Sequence, residues 1–139
     1  MEQATNLDRF IKAQENVYKD ALSEIKGGRK RSHWMWYIFP QIAGLGFSET
    51  SMYYGIKNLS EAEAYARHPV LGSRLVEICT ALLGLAENNA NRIFGSPDDM
   101  KLKSSMTLFS SLSNGDPVFE QVLNKFYNGS KDQRTLELL

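Results

Sequence analysis

The sequence predicts an all-α protein, an irregular bundle of six or seven short helices forming a single domain over residues 1–139. Three observations predict it. Apolar residues recur three and four apart in several separate stretches, which is the period of a helix. Capping residues and glycine or proline stops punctuate those stretches at short intervals. No repeat, low-complexity tract or long linker divides the chain. A small ribbon around Trp36 or Ile93 remains compatible with this pattern.

Leu7, Phe10, Ile11, Gln14, Tyr18, Ala21, Leu22 and Ile25 share one helical face, so a first helix is expected across them. Asn6 can cap its start, and Gly27-Gly28 can end it, because glycine tolerates the left-handed conformation. Residues 32–41 hold four aromatics within six positions. They read as a short helix capped by Ser32 and stopped before Pro40, with a buried strand as the alternative. Gly44-Leu45-Gly46 reads as a loop, and Ser48 as the cap of a short helix carrying Met52, Tyr53 and Ile56.

Ser60 and Glu63 have capping-box spacing, and that helix should stop near His68-Pro69. Leu71, Leu75, Ile78, Leu82 and Leu85 form the stripe of a longer helix that fades at Glu87-Asn88-Asn89. Ser96-Pro97-Asp98-Asp99 is a strong start signal: serine as cap, proline in the first turn, acids at the positive end. The helix it opens carries Met100, Leu108, Phe109 and Leu112. Asn114-Gly115 closes that helix. Asp116-Pro117 opens the next, with Val118, Val122, Leu123 and Phe126, and Asn128-Gly129 stops it. Asp132 caps a last short segment.

Composition excludes several classes. Hydrophobic residues make up 42% of the 139, ordinary for a packed core and too rich for disorder. Sixteen basic and sixteen acidic residues cancel, which gives no strong nucleic-acid signal. No apolar run approaches the ~20 residues of a membrane helix. One cysteine, Cys79, allows no internal disulfide, and the polar residues 1–6 do not resemble a secretory signal. A cytoplasmic location is the expectation.

Catalytic motifs fail on count. His33, His68 and Cys79 are too few for a structural zinc site, so no metal or cofactor is expected. There is no nucleophile elbow, phosphate-binding P-loop or metalloprotease helix. Cys79, on the longest apolar helix, reads as a small buried hydrophobe. His33 lies between a basic cluster and two tryptophans, where a proton donor or acceptor would serve. His68 reads as a helix-end residue. Lys30, with Lys26, Arg29 and Arg31, either complements a helix C-terminus or holds phosphate. Trp34 and Trp36 can be core or a stacking surface beside those cations. Gln41 could read an amide or hydroxyl edge, and Ser48 stands at a helix start that could take an anion. Asp98 and Lys101 share a helical face with Ser105. Ser104 and Thr107 share another, and the simpler reading of this polar set is a solvated face.

The string Lys30-Arg31-Ser32-His33-Trp34-Met35-Trp36-Tyr37-Ile38-Phe39-Pro40-Gln41, followed by Gly44-Leu45-Gly46 and Ser48, resembles a bacterial family, domain of unknown function 1810. The resemblance continues through His68-Pro69, Leu71-Gly72, Arg74-Leu75, Phe94-Gly95, Pro97-Asp98, Lys101, residues 104–109, Asp132 and Thr135-Leu136, and so covers nearly the whole chain. It implies an all-helical single domain and no established activity. Some members carry the label calpastatin, which no residue here supports. In layout the family is distantly similar to YbiA-like helical proteins thought to act on ADP-ribose or related N-glycosides, a likeness that assigns no catalytic residue.

Two functions follow as expectations. In the first, a nucleotide-like ligand such as an ADP-ribose derivative is bound or hydrolysed. Lys30 and Arg74 hold phosphate, Trp34 or Trp36 stacks on a ring, and Gln41, Ser48, Lys101 and Ser105 line the site. His33 and Asp98 then serve as the catalytic pair of N-glycoside cleavage. The site would be assembled from residues 30–41, the helix start near Arg74 and residues 98–107. In the second, a non-catalytic interaction module docks through the aromatic segment from Trp34 to Phe39, with a homodimer as one such assembly. Trp36 and Phe39 should be buried, with Lys30 and His33 partly exposed. Far-ultraviolet circular dichroism should report more than half helix; a strand-dominated spectrum would refute the fold class.

Overall fold

The computed structural model describes residues 7–139. Helix accounts for 62% of them, in ten segments. In chain order these are α1 (Asp8–Gln14), α2 (Tyr18–Lys26), α3 (Met35–Ile38), α4 (Glu49–Tyr54), α5 (Leu59–Arg67), α6 (Leu71–Leu83), α7 (Ala90–Phe94), α8 (Asp98–Ser110), α9 (Val118–Tyr127) and α10 (Gln133–Leu138). No described helix is long and apolar enough to cross a membrane. The all-α class stands. The helices outnumber the expected six or seven because the first one breaks, α7 is too short to show a period, and the last short segment is itself a helix, α10.

The break falls at residues 15–17, where Val17 leaves the helical region with φ −122°. Its cause is packing. Phe10 and Gln14 of α1 face α3, whereas Ala21 and Ile25 of α2 face α6. One straight helix could not aim both stripes at separate partners. The proposed Asn6 cap lies outside the described residues.

Several start signals shift for a common reason: another acceptor or donor claims the side chain. Ser32 does not cap α3, which begins three residues later, because its hydroxyl donates to Glu24 Oε2 at 2.6 Å. Ser60 lies inside α5, whose cap is Asn58, with Oδ1 accepting from Glu61 N at 2.9 Å. Glu61 reaches back to accept from Lys57 N at 2.9 Å, so the expected Ser60–Glu63 box is replaced by a related pair, Asn58 with Glu61, two residues earlier. Ser96 precedes Pro97 through a cis bond, and α8 starts at Asp98 without a side-chain cap. Ser48 and Asp132 cap α4 and α10 as expected, and Asp116 accepts from Val118 N at the start of α9. Gly28, at φ 86°, ends the α2 region in the conformation that glycine allows.

The longest helices, α6 and α8, organise the core. Both contact α5 and α9; α2 lies against α6, and α7 and α10 lie against α8. Leu71, Leu75, Ile78 and Leu82 line the inner face of α6 and are buried in the same core as Leu102, Met106 and Phe109 of α8. Cys79 is fully buried beside Met106, and burial pushes its thiol pKa up, so it is inert packing. The polar residues of α8 do not form a solvated face: Ser104, Ser105 and Thr107 are buried. Met100, assigned to the apolar face, is 49% exposed.

Polar side chains tie the smaller helices to this core. Arg9, buried on α1, donates to Tyr53 O, Gly55 O and Glu61 Oε1 at 2.7, 3.1 and 3.2 Å. Gln14 donates to Tyr37 O and Tyr65 Oη, and accepts from Arg74. The residues after α3 return through a parallel bridge between Ile42 and Ile56, and no ribbon forms at Trp36 or Ile93. Gly55 is required there, since a Cβ would stand 2.9 Å from Ala43 Cα.

Glu24 anchors the segment between α2 and α3. Its Oε1 accepts from Arg31 N, Ser32 N and Trp34 Nε1 at 2.6, 2.9 and 2.9 Å, beside the Ser32 hydroxyl on Oε2. Burial raises the carboxyl pKa, but these hydrogen bonds outweigh it and pull the value from 4.5 down to about 2. A depressed carboxylate contributes stability that is complete above 4.5 and is lost as pH falls toward 2. Glu24→Gln should therefore lose about 1–2 kcal/mol at pH 7 in urea unfolding. The gap to the parent should narrow between pH 4.5 and 2; a constant gap would mean that the charge is not what holds the segment.

Candidate functional site

The basic and aromatic residues of the second segment meet the start of α8. Asp98 opens that helix and receives two ammonium groups: Lys30 Nζ lies 2.9 Å from Oδ2, and Lys101 Nζ lies 3.1 Å from Oδ1. Each lysine also lies over a tryptophan. Lys30 Nζ is 5.1 Å from the Trp34 ring centroid, and Lys101 Nζ is 4.0 Å from that of Trp36. The backbone places Lys30 by a 2.8 Å bond from its N–H to Ile93 O at α7. Burial raises the Asp98 pKa, but hydrogen bonds and charges from Lys30 and Lys101 more than reverse this, holding it below the usual carboxylate value.

Beside this cluster lies a cleft of about 270 Å³. Trp36, Gln41 and Gly46 form one wall, Lys101 and Ser104 of α8 another, and Asp132 and Arg134 the third. The third wall is held to α8 by side-chain bonds. Ser104 Oγ donates to Asp132 Oδ2 at 3.0 Å, and Thr107 Oγ1 accepts from Asp132 N at 2.9 Å. These bonds explain why polar residues on α8 are buried: they dock α10.

Gln41 Nε2 is buried without a hydrogen-bond partner, and the residue is only 9% exposed. Its main chain is fixed, because Gln41 O accepts from Ile56 N at 2.8 Å in the bridge. Arg134 is exposed on the rim and forms no ion pair or hydrogen bond among the described residues. With Lys30 and Asp98 cancelling, Lys101 and Arg134 against Asp132 leave one net positive charge. An orphaned amide donor with a surplus cation fits a polar, anionic ligand.

The structure thus unites Gln41, Lys101 and the Trp36 ring, with Lys30 and Asp98 directly behind them. The other expected site residues fall elsewhere. Trp34 is fully buried, donates to Glu24 and packs on Phe39 and Phe94, so no ligand can stack on it; Trp36 is only half-buried and lines the cleft. The expectation of a buried Trp36 misassigned the face, because α3 starts at Met35 and Trp34 points inward ahead of it. Lys30 has a 9% exposed side chain committed to Asp98, which removes it from the role of a surface phosphate clamp. His33 is exposed and forms no ion pair with Asp98, so the catalytic pair is not assembled. Arg74 lies over Tyr18 and donates to Gln14, away from the cleft walls. The Ser48 hydroxyl accepts from Ser51 N in its own short helix. Ser105 is fully buried with its Oγ unpartnered and lines no part of this cleft.

The segment from Trp34 to Phe39 likewise offers no docking face. Trp34, Met35, Ile38 and Phe39 are core, leaving only Trp36 and Tyr37 half-exposed. Asp132 and Arg134 were missed as site residues. The one available signal was the capping position of Asp132, which gives no hint that α10 returns to α8. A larger cleft, about 630 Å³, opens between α5, α6 and the turn after α8, and shares no lining residue with this one. We assign the principal site to the smaller cleft because it holds the buried unpartnered amide.

A family profile described as "protein of unknown function (DUF1810)" matches residues 4–139. The crystal structure of the conserved hypothetical protein Rv1873 from Mycobacterium tuberculosis is similar, with 46% identity, 96% of each chain covered and a TM-score of 0.94. No curated protein matches the sequence.

Asp98→Asn should destabilise the protein by about 2–4 kcal/mol, because it strands a buried lysine. Lys101→Met, at the open side of the pair, should cost less than about 1 kcal/mol. Urea unfolding at neutral pH measures both; equal losses would show that Lys30 does not depend on Asp98.

Proposed function

The chain belongs to the DUF1810 family of proteins of unknown function, and from its geometry we propose that it binds a small ring-bearing anion of nucleotide kind in the cleft between Trp36, Gln41 and Arg134. The observation that carries this reading is the Gln41 amide. A buried donor without a partner costs roughly 1–3 kcal/mol, and turning the Gln41 amide so that Nε2 faces the cleft it lines would let a ligand carbonyl or ring nitrogen remove that cost. Trp36 supplies an aromatic face for a base or sugar, and Arg134 with Lys101 supplies positive charge for a phosphate.

Size limits the ligand. The 270 Å³ cleft falls just under the ~300–1,000 Å³ of typical drug-sized sites. A nucleoside monophosphate suits it. ADP-ribose would place one nucleoside end inside and leave the remainder over the rim.

Binding is better supported than N-glycoside hydrolysis. A general acid must carry a proton, whereas Asp98 is held ionised with both oxygens on ammonium groups. Those same ammonium groups offset the charge that would stabilise a cationic sugar.

Titration with adenosine monophosphate, adenosine and inorganic phosphate, read by tryptophan fluorescence, tests the proposal. Trp36 should respond saturably, and the response should vanish in Trp36→Phe while the buried Trp34 remains as reference. Gln41→Ala should weaken nucleotide binding roughly tenfold, the loss of about 1.4 kcal/mol expected of a buried hydrogen bond. Arg134→Ala should erase the advantage of the monophosphate over adenosine. The absence of saturation, or unchanged affinity in Gln41→Ala, would reject the site.

A further inference from the structure

The larger cleft has the opposite character. It measures about 630 Å³, inside the range of small-molecule sites. Its apolar surface comes from Val76 of α6, Leu112 after α8 and Phe119 of α9. Glu63, Glu77 and Asp116 stand around it against one cation, Arg67, which leaves two net negative charges. We propose that this cleft binds a small molecule with an apolar body and a cationic amine head.

The acidic groups are not equally occupied. Glu77 accepts from the Tyr18 hydroxyl at 2.5 Å, and Asp116 accepts from Val118 N at 2.8 Å. Glu63 forms no hydrogen bond or ion pair among the described residues, so its full charge is left for a ligand. His68, also on the wall, is tied to the start of α6. Its Nδ1 accepts from Val70 N and Leu71 N at 3.1 and 3.2 Å, which places the ring proton on Nε2.

The ligand class follows from combining the two surfaces. A hydrated metal ion gains nothing from Phe119, Leu112 and Val76. An organic anion meets a surplus of carboxylates. A neutral apolar molecule leaves Glu63 unanswered. An amine on an apolar body satisfies both the floor and the rim.

The walls are built before a ligand arrives. The first turn of α6 packs so tightly on α5 that a Cβ on Gly72 would meet Ala66 O at 2.1 Å. His68 N donates to Tyr65 O at 3.2 Å, and Gly72 N donates to His68 O at 2.9 Å. A corner fixed this way loses little freedom on binding.

Nuclear magnetic resonance titration of the isotope-labelled full chain tests the inference with shape-matched probes: phenethylamine, 3-phenylpropionate and 2-phenylethanol. Phenethylamine should shift Ser73, Gly115 and Phe119 saturably, with a midpoint on the order of millimolar, as expected of so small a ligand. The carboxylate should bind at least roughly tenfold more weakly, with the alcohol between them. Glu63→Gln should weaken the amine about two- to fivefold. Ser73→Arg, at an exposed wall position, should abolish amine binding through bulk and charge. If Ser73→Arg fails to fold, the probe ranking and Glu63→Gln still decide. No saturable shift, shifts mapping outside the cleft, equal affinity for amine and carboxylate, or unchanged amine binding in Glu63→Gln would overturn it.

Discussion

The carboxylate of Glu24 holds a segment that has no regular structure of its own. Between α2 and α3 the backbone N–H groups of Arg31 and Ser32 have no helix or sheet partner, and such groups must find one. Both find Glu24, as does the Trp34 indole. The consequences run along the chain. Trp34 enters the core, Lys30 is placed beside it and beside Ile93, and Asp98 at the start of α8 receives the lysine. Lys101, one turn later on α8, shares Asp98 and covers Trp36. One acidic side chain on α2 thus bears on the position of Trp36, more than ten positions away.

A second constraint closes the cleft. The hydroxyls of Ser104 and Thr107 would be costly to bury alone. Asp132 answers both, while also accepting from Thr135 N at 3.1 Å. A single carboxylate therefore caps α10 and docks it on α8. Arg134 reaches the cleft rim because of that double use.

The chain has no net charge, yet its two clefts are electrostatically opposed. The first carries one surplus positive charge and is lined by a half-exposed tryptophan and by Gln41, whose amide nitrogen is buried without a partner. The second carries two surplus negative charges over an apolar floor. Neutral composition speaks against a broad charged surface, but says nothing of how charges segregate after folding.

By itself the sequence determined the helical class, the stops at Gly28, Pro40 and Asn128, the caps at Ser48 and Asp132, and the apolar stripe of α6. These are local: neighbouring residues decide them through propensity, capping and a period of 3.6. It also pointed to Gln41, Lys101 and Asp98, because polar residues beside strongly apolar ones demand partners. Only tertiary structure decided which tryptophan is core and which is half-exposed, since Trp34 and Trp36 differ by a hydrogen bond to Glu24 on another helix. Tertiary structure also separated Arg74 and His33 from the cleft and brought Arg134 to it. Nearness between side chains dozens of residues apart depends on how α8 and α10 dock, and no local pattern encodes that geometry.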